Sequence, residues 1–235
     1  MPRTADPTDI PERLLAAGLD LFLLQGYNGT GIQQITDRAG VPKGSFYNHF
    51  SSKEAFGAAI VDLYSEHSRK SWMRWMRGAP SEPMAAIRHV FGAMLDRHER
   101  ARCTSGCLIG NLAAEVAPTS KLCRERLQVA QLAWRERLAE LVRAAQDAGE
   151  IRDDMDPTAL SALTWSVWEG ALLRMKVEGS ARPLRESVAI VLEHVYMPKQ
   201  RPAPPRAESV RRSHRGLVCS PTPPKRPSTG KSRRC

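Results

Sequence analysis

Residues 31–50, GIQQITDRAGVPKGSFYNHF, decide the fold. Ile32, Ile35 and Ala39 recur at helical spacing, Gly40-Val41 interrupts them, and Pro42 opens a second run that ends at His49. Two short helices over 31–39 and 42–49, joined by a tight turn, have the layout of a helix-turn-helix, whose second helix enters the major groove of DNA. A helix of about two turns is not stable alone. It needs anchors, and Phe46 and Phe50, four apart, give it one inward face. Ile32, Ile35, Ala39 and Val41 form the surface that receives them. The opposite face then carries Lys43, Ser45, Tyr47, Asn48 and His49, short polar groups and ring donors suited to phosphates and base edges. Gly44 lets the backbone approach a ligand closely.

Upstream, Leu14, Ala17, Gly18, Leu21 and Phe22 share one face of a helix over 11–25, which Gly26 ends. Thr30 with Gln33, and Ser51 with Glu54, have the spacing of capping boxes opening the next helices. The helix after Ser51 turns Phe56, Ile60 and Leu63 inward, and Lys53 in its first turn can hold a phosphate together with the free amides.

Downstream the helical period continues to Met197, and no segment alternates with period two, so the chain reads as all-α. Gly78-Ala79-Pro80 breaks the pattern, and Ser81 with Pro83 restarts it for a stripe of Met84, Ile87, Phe91, Met94 and Leu95. Further helices are expected from near Ser105, over about 120–148, from Asp156-Pro157 to about Val177, and from Pro183 to about Tyr196. The boundaries expected are 7–55 for the DNA-reading unit, 56–197 for a second helical domain and 198–235 for a tail.

That tail is proline-rich and nearly without apolar residues, so it cannot bury enough surface to offset its ordering entropy; disorder is expected. Of 35 basic and 25 acidic residues, eleven and one lie after Met197, and the remaining 24 of each cancel. The net charge of +10 therefore sits on the tail and cannot by itself support specific DNA binding. Its two alternatives are counterion-release affinity for any DNA and no role at all.

With 42% apolar and 26% charged residues the composition is that of an ordinary soluble protein. No apolar run is long enough for a membrane span, and Asp6, Asp9, Glu12 and Asp20 do not suit a secretory signal, so no membrane role and a cytoplasmic location are expected. Five cysteines form an odd set without a disulfide framework. Cys103 and Cys107, with His98 and Cys123, do not make a recognised four-ligand metal spacing. No phosphate-cradling glycine loop, nucleophile elbow or helix-borne His-Glu pair is present, so no enzyme, cofactor or metal is expected.

Residues 14–60, with Leu21-Phe22, Gly26-Tyr27, Thr30, Ile35, Ala39-Gly40-Val41, Lys43-Gly44, Tyr47, His49-Phe50 and Lys53-Glu54, resemble the N-terminal domain of the TetR family of repressors. The resemblance implies phosphate contacts from Thr30, Tyr47, His49 and Lys53. It also implies base-edge or groove contacts from Gln33, Lys43, Gly44, Ser45 and Asn48. Gly31 departs from the hydroxyl residue often found there. A C-terminal helical domain that binds a small effector and forms a homodimer on double-stranded operator DNA is implied as well, the last two long helices making the interface. Trp165, Trp168, Leu172, Val188, Ile190, Val191 and Val195 are candidates for that seam, or alternatively for the cavity wall or the protomer core.

Ser105-Gly106-Cys107-Leu108-Ile109-Gly110-Asn111-Leu112 with Glu115 is similar to a branch of that family whose repressors respond to acrylate-type compounds and to electrophiles. If Ser105 caps the helix, Cys107 lies in its first turn, where the dipole favours thiolate. Lys176 matches a lysine of the electrophile-sensing members and is a candidate partner for that thiolate. The alternative is a small buried hydrophobe. For a noncovalent ligand the candidates are Phe91, Met94, Leu108, Asn111, Trp134, Trp165, Trp168 and Glu169.

Overall fold

The structure, a computed structural model, describes residues 9–101 and 106–198. Expectations for the basic tail beyond Pro198, and for Cys103, Ser105, Cys219 and Cys235, lie outside the described residues. Within them run nine α-helices and no strand. They are α1 (Ile10–Gln25), α2 (Ile32–Ala39), α3 (Lys43–His49), α4 (Lys53–Arg77), α5 (Pro83–Arg100), α6 (Leu108–Glu115), α7 (Lys121–Asp147), α8 (Pro157–Glu178) and α9 (Arg182–Ile190). A single π turn, Val191–Val195, prolongs α9. The all-α reading and the helix order hold. None of these helices is long and apolar enough to cross a membrane.

Two apolar cores organise the helices. The first gathers Leu14, Phe22, Ile35, Phe46, Phe56 and Ile60, and extends to Leu108 and Leu112 of α6 and Cys123 and Leu127 of α7. The second gathers Trp72, Ile87, Phe91, Trp134, Leu138, Trp168, Leu172 and Tyr196. Helix α4 belongs to both, with Phe56, Ile60 and Val61 in one and Trp72 in the other. A rigid helix therefore runs through the boundary placed at 55/56, and the described residues form one unit with two cores.

Two caps differ from the sequence reading. Gly31, in extended conformation, is the N-cap of α2, and its N–H donates to Oε1 of Gln34 at 2.8 Å. Thr30 is buried instead, its hydroxyl donating to the Gly26 carbonyl at 2.7 Å, so neither Thr30 nor Gln33 takes part in the cap. At α4 the cap is Ser52, which accepts from Ala55 N at 3.0 Å, not Ser51. Glu54, half-buried, accepts from the Ser120 hydroxyl at the start of α7. Asp156 caps α8 as expected, accepting from the amides of Thr158 and Ala159 at 2.8 and 3.1 Å.

Candidate functional site

The turn between α2 and α3 is held from two sides. Gly40 takes φ +66, a left-handed conformation that glycine adopts without penalty, and Val41 N–H returns to the Thr36 carbonyl at 3.0 Å. From α1, the Arg13 guanidinium donates to the Ala39 carbonyl at 2.6 and 3.1 Å and to the Gly40 carbonyl at 3.1 Å. These carbonyls end α2 and have no partner inside the helix, so a side chain satisfies them.

Helix α3 is pinned by its aromatic face. Phe46 is fully buried, with ring centroids 5.1 Å from Phe56 and 5.6 Å from Phe50, and Phe50 stands edge-on to Phe56 at 4.8 Å. The ring of Phe56 lies so close over Gly18 that a methyl group there would collide with it. With this side consumed, Lys43, Gly44, Tyr47, Asn48 and His49 stand exposed and Ser45 half-buried, all on the other side. Tyr47 is 55% exposed although it is aromatic, a position that a solvent-facing helix gives no apolar reason to hold.

The supporting residues fall into place around α3. Gln33 is exposed on α2 and donates to Asp37 at 2.6 Å. Lys53, half-buried at the start of α4, sits 4.3 Å from the Tyr27 ring centroid, and burial lowers its pKa while Glu115 opposes the shift. Of the nine residues expected to meet DNA, Thr30 alone is buried with its hydroxyl committed to backbone.

Helix α6 packs in the first core, its N-cap Cys107 packs against both, and polar contacts lie at both ends. At its C-terminal end Glu115 accepts from the Asn28 backbone N–H at 2.8 Å and crowds Gly26, in the loop that leads into α2. Next to it, Cys123 of α7 donates its thiol to the Glu54 carbonyl at 3.5 Å. At the N-terminal end, Cys107 is the N-cap and precedes the first turn.

Opposing influences act on the Cys107 thiol. The amides of Ile109 and Gly110 do favour its charged form, as a helix start should, but burial and the neighbouring Glu169 carboxylate outweigh them and push the thiol pKa up. Glu169 in turn is raised to about 7, chiefly by burial, against the pull of Cys107 and Lys176. Lys176 donates to Asn111 Oδ1 at 2.6 Å and packs over Gly106, and Glu169 packs over Gly110. Cys107, Asn111, Glu169 and Lys176 thus line one pocket together with Trp165.

On the other side of Cys107 and Trp165 lies a narrow inner cavity of about 50 Å³. Of the pocket candidates, Met94, Trp134, Trp165 and Trp168 line it, and Tyr64, Trp72, Trp75, Arg97 and Arg137, which were not among them, line it too. Phe91 lies against Trp134 and Trp168 and borders a smaller cleft toward α9. Leu108 does not reach the inner cavity; it is fully buried in the first core.

The seam candidates divide. Trp168, Leu172 and Val191 are buried in the second core and offer no surface to a partner, while Trp165 lines the cavities and Val188 and Val195 are half-buried. The apolar residues that α8 and α9 do expose are Leu163, Leu173, Val177 and Ile190, with Val177 88% and Leu173 62% exposed.

Comparison with known proteins agrees with this geometry. Residues 14–60 match the model of bacterial regulatory proteins of the tetR family, and residues 83–191 match that of the tetracyclin repressor-like C-terminal domain. The HTH-type transcriptional repressor DhaR of Mycobacterium sp. (strain GP1) is 34% identical over 186 residues, covering 79% of this chain and 92% of that protein. The transcriptional regulator AcuR of Cereibacter sphaeroides is 36% identical over 193 residues, covering 78% and 86%. A crystal structure of a regulatory protein TetR from Rhodobacter sphaeroides superposes with a TM-score of 0.74 at 33% identity, covering 79% of this chain and 98% of that one.

Proposed function

The chain belongs to the TetR family of bacterial transcriptional regulators, and we propose that it is a repressor whose paired α3 helices hold operator DNA until a small molecule occupies the inner cavity. The observation that carries the reading is the two-sided character of α3. Its aromatic side is spent inside, which leaves Lys43, Tyr47, Asn48 and His49 turned outward on a rigid stub. Lys43, Gly44, Ser45, Asn48 and Gln33 serve base edges and groove, and Tyr47, His49 and Lys53 serve phosphates. The buried hydroxyl of Thr30 fixes the approach of α2 rather than touching DNA.

Dimerisation through the exposed stripe of α8 and α9 supplies the second reading head, so an inverted-repeat operator is expected. Leu163, Leu173, Val177 and Ile190 support this placement, since apolar groups spaced along one helix face are costly to leave in water.

Effector response runs through α6. A ligand in the inner cavity that moves Cys107 and Ile109 at its N-terminal end also moves Glu115 at the other, because eight residues of helix are one rigid body. Glu115 then tugs the Asn28 loop and with it the angle of α2 and α3. A ligand that prefers the moved arrangement shifts the population off DNA, typically with about 1–3 kcal/mol of coupling.

The test is selection of DNA fragments by the purified full-length protein, followed by binding to the recovered site and to a scrambled one. An inverted repeat bound about a thousandfold or more tighter than the scrambled fragment is expected. Equal affinity for both would end the reading.

A further inference from the structure

Resting on the regulator reading above, we infer that the inner cavity, about 50 Å³ in this conformation, widens to grip a small planar aromatic carboxylate between tryptophan rings with its charge at Arg137. All five tryptophans of the chain, Trp72, Trp75, Trp134, Trp165 and Trp168, line this one cavity, although they come from three different helices. Their rings surround the space rather than stack on each other flat: Trp72 and Trp134 meet at 74°, Trp134 and Trp165 at 56°. Faces and edges are therefore both presented inward, which suits a ring of comparable thickness and gives an aliphatic chain no such complement.

The charges of the wall are one-sided. Arg97 and Arg137 line it, with His98 beside them, and among the described residues no carboxylate does. Arg137 donates its Nε to the Ala133 carbonyl at 2.9 Å, and its guanidinium lies 5.9 Å from the Trp72 ring. Its Nη1 is buried without a hydrogen-bond partner. Burial and the nearby Arg69 both disfavour its charge, and the attraction of Glu140 does not compensate. Buried guanidinium N–H groups are normally satisfied, so an orphan beside a cavity marks the place of an absent acceptor. Asp62, Glu66, Glu136 and Glu140 stand around an outer groove that shares Ser65 and Arg137 with the cavity. Glu169 guards the neighbouring pocket beyond Cys107 and Trp165, and it repels an anion from that direction. The carboxylate end is accordingly directed toward Arg137.

The full-length protein is titrated with benzoate, benzamide and cyclohexanecarboxylate by calorimetry, with indole emission read in parallel. Benzoate is expected to bind and to quench tryptophan emission, with benzamide and cyclohexanecarboxylate each weaker by about tenfold or more, the scale of one charge-assisted contact or one lost ring contact. Arg137→Gln should abolish the preference for benzoate over benzamide, and Arg137→Lys should retain part of it, which separates lost charge from lost fold. Benzamide equal to benzoate, cyclohexanecarboxylate equal to benzoate, an Arg137→Gln protein that keeps the preference, or no binding of benzoate each overturns the assignment. Ligand-free binding to the selected operator, measured on the same preparation, tests the regulator reading separately. A protein that binds its operator and ignores benzoate refutes this inference alone.

Discussion

The carboxylate of Glu115 accepts a hydrogen bond from the backbone N–H of Asn28 at 2.8 Å, joining α6 to the loop before α2 across 87 positions of sequence. It is a direct polar tie between the effector half and the reading head. Glu115→Ala should free the Asn28 amide and speed its hydrogen exchange by about tenfold or more, the kinetic equivalent of a local opening eased by over 1 kcal/mol. Amides within α1, anchored by buried Phe22, should be unaffected. Uniform acceleration throughout α1 and α2 would mean that Glu115 supports the whole first core instead.

Arg13 has the same character on the other side of the head. Its guanidinium satisfies the carbonyls of Ala39 and Gly40 at the turn between α2 and α3. Arg13→Ala should lower unfolding free energy by about 1–2 kcal/mol in urea titration and weaken operator binding, because the angle between the two helices is no longer fixed from α1. Arg13→Lys should recover little, since an ammonium cannot reach both carbonyls with a planar fork. Full recovery by lysine would leave charge alone as the cause.

How much of this was legible beforehand follows from the kind of signal involved. The two-helix head and its polar side could be read because period 3.6, a glycine at the turn and two phenylalanines four apart are local patterns. The caps were misplaced by one residue because Thr30-Gly31 and Ser51-Ser52 each offer neighbouring candidates, and only backbone angles choose between them. Arg13–Gly40 and Glu115–Asn28 leave no periodic trace at all. Helix α8 is apolar on nearly every side, so its pattern has too little contrast to sort Trp168 and Leu172 from Leu173 and Val177. The position of Cys107 relative to a helix start is legible in sequence, whereas its burial and the nearness of Glu169, sixty-two residues away, which raise its thiol pKa, are not.

Gln33 and Lys53 should fail in different ways. Gln33 is exposed on α2, and Gln33→Ala should lose about 1–3 kcal/mol of discrimination at one base pair per half-site, with little change on unrelated DNA. Lys53→Ala should weaken binding to all sequences alike and reduce the slope of log affinity against log salt by about one per protomer. Competition binding at several salt concentrations checks both. The same loss of preference from the two substitutions would contradict the division between base and phosphate contacts.

The exposed stripe on α8 gives a prediction about assembly. Leu173 and Val177 lie one turn apart on a solvent face, and Leu173→Glu places a carboxylate where two copies would meet. Light scattering should give twice 26.1 kDa for the parent protein and a single 26.1 kDa mass for the variant. Operator affinity should fall with it, because one reading head contacts only half a site. A variant that remains dimeric would move the interface off this face.

Glu169 ties stability to pH. Burial raises its carboxyl to about 7 in the folded chain, from 4.5 in an ordinary environment. A raised folded value means that the native state holds the proton more tightly than the unfolded one. The stability from this group is therefore fully present below about pH 4.5, drains away as pH rises through about 7, and stays lost above it. Lys176 limits the loss by attracting the carboxylate, and Glu169 is only partly enclosed, so the cost near neutral pH is taken as about 1–2 kcal/mol. Glu169→Gln keeps the shape and removes the charge. Urea titrations should find the variant more stable than the parent by that amount near about pH 8, with the two curves converging as pH falls toward about 5. A gap that stays constant across this range would assign the effect to packing against Gly110 rather than to the ionisation of Glu169.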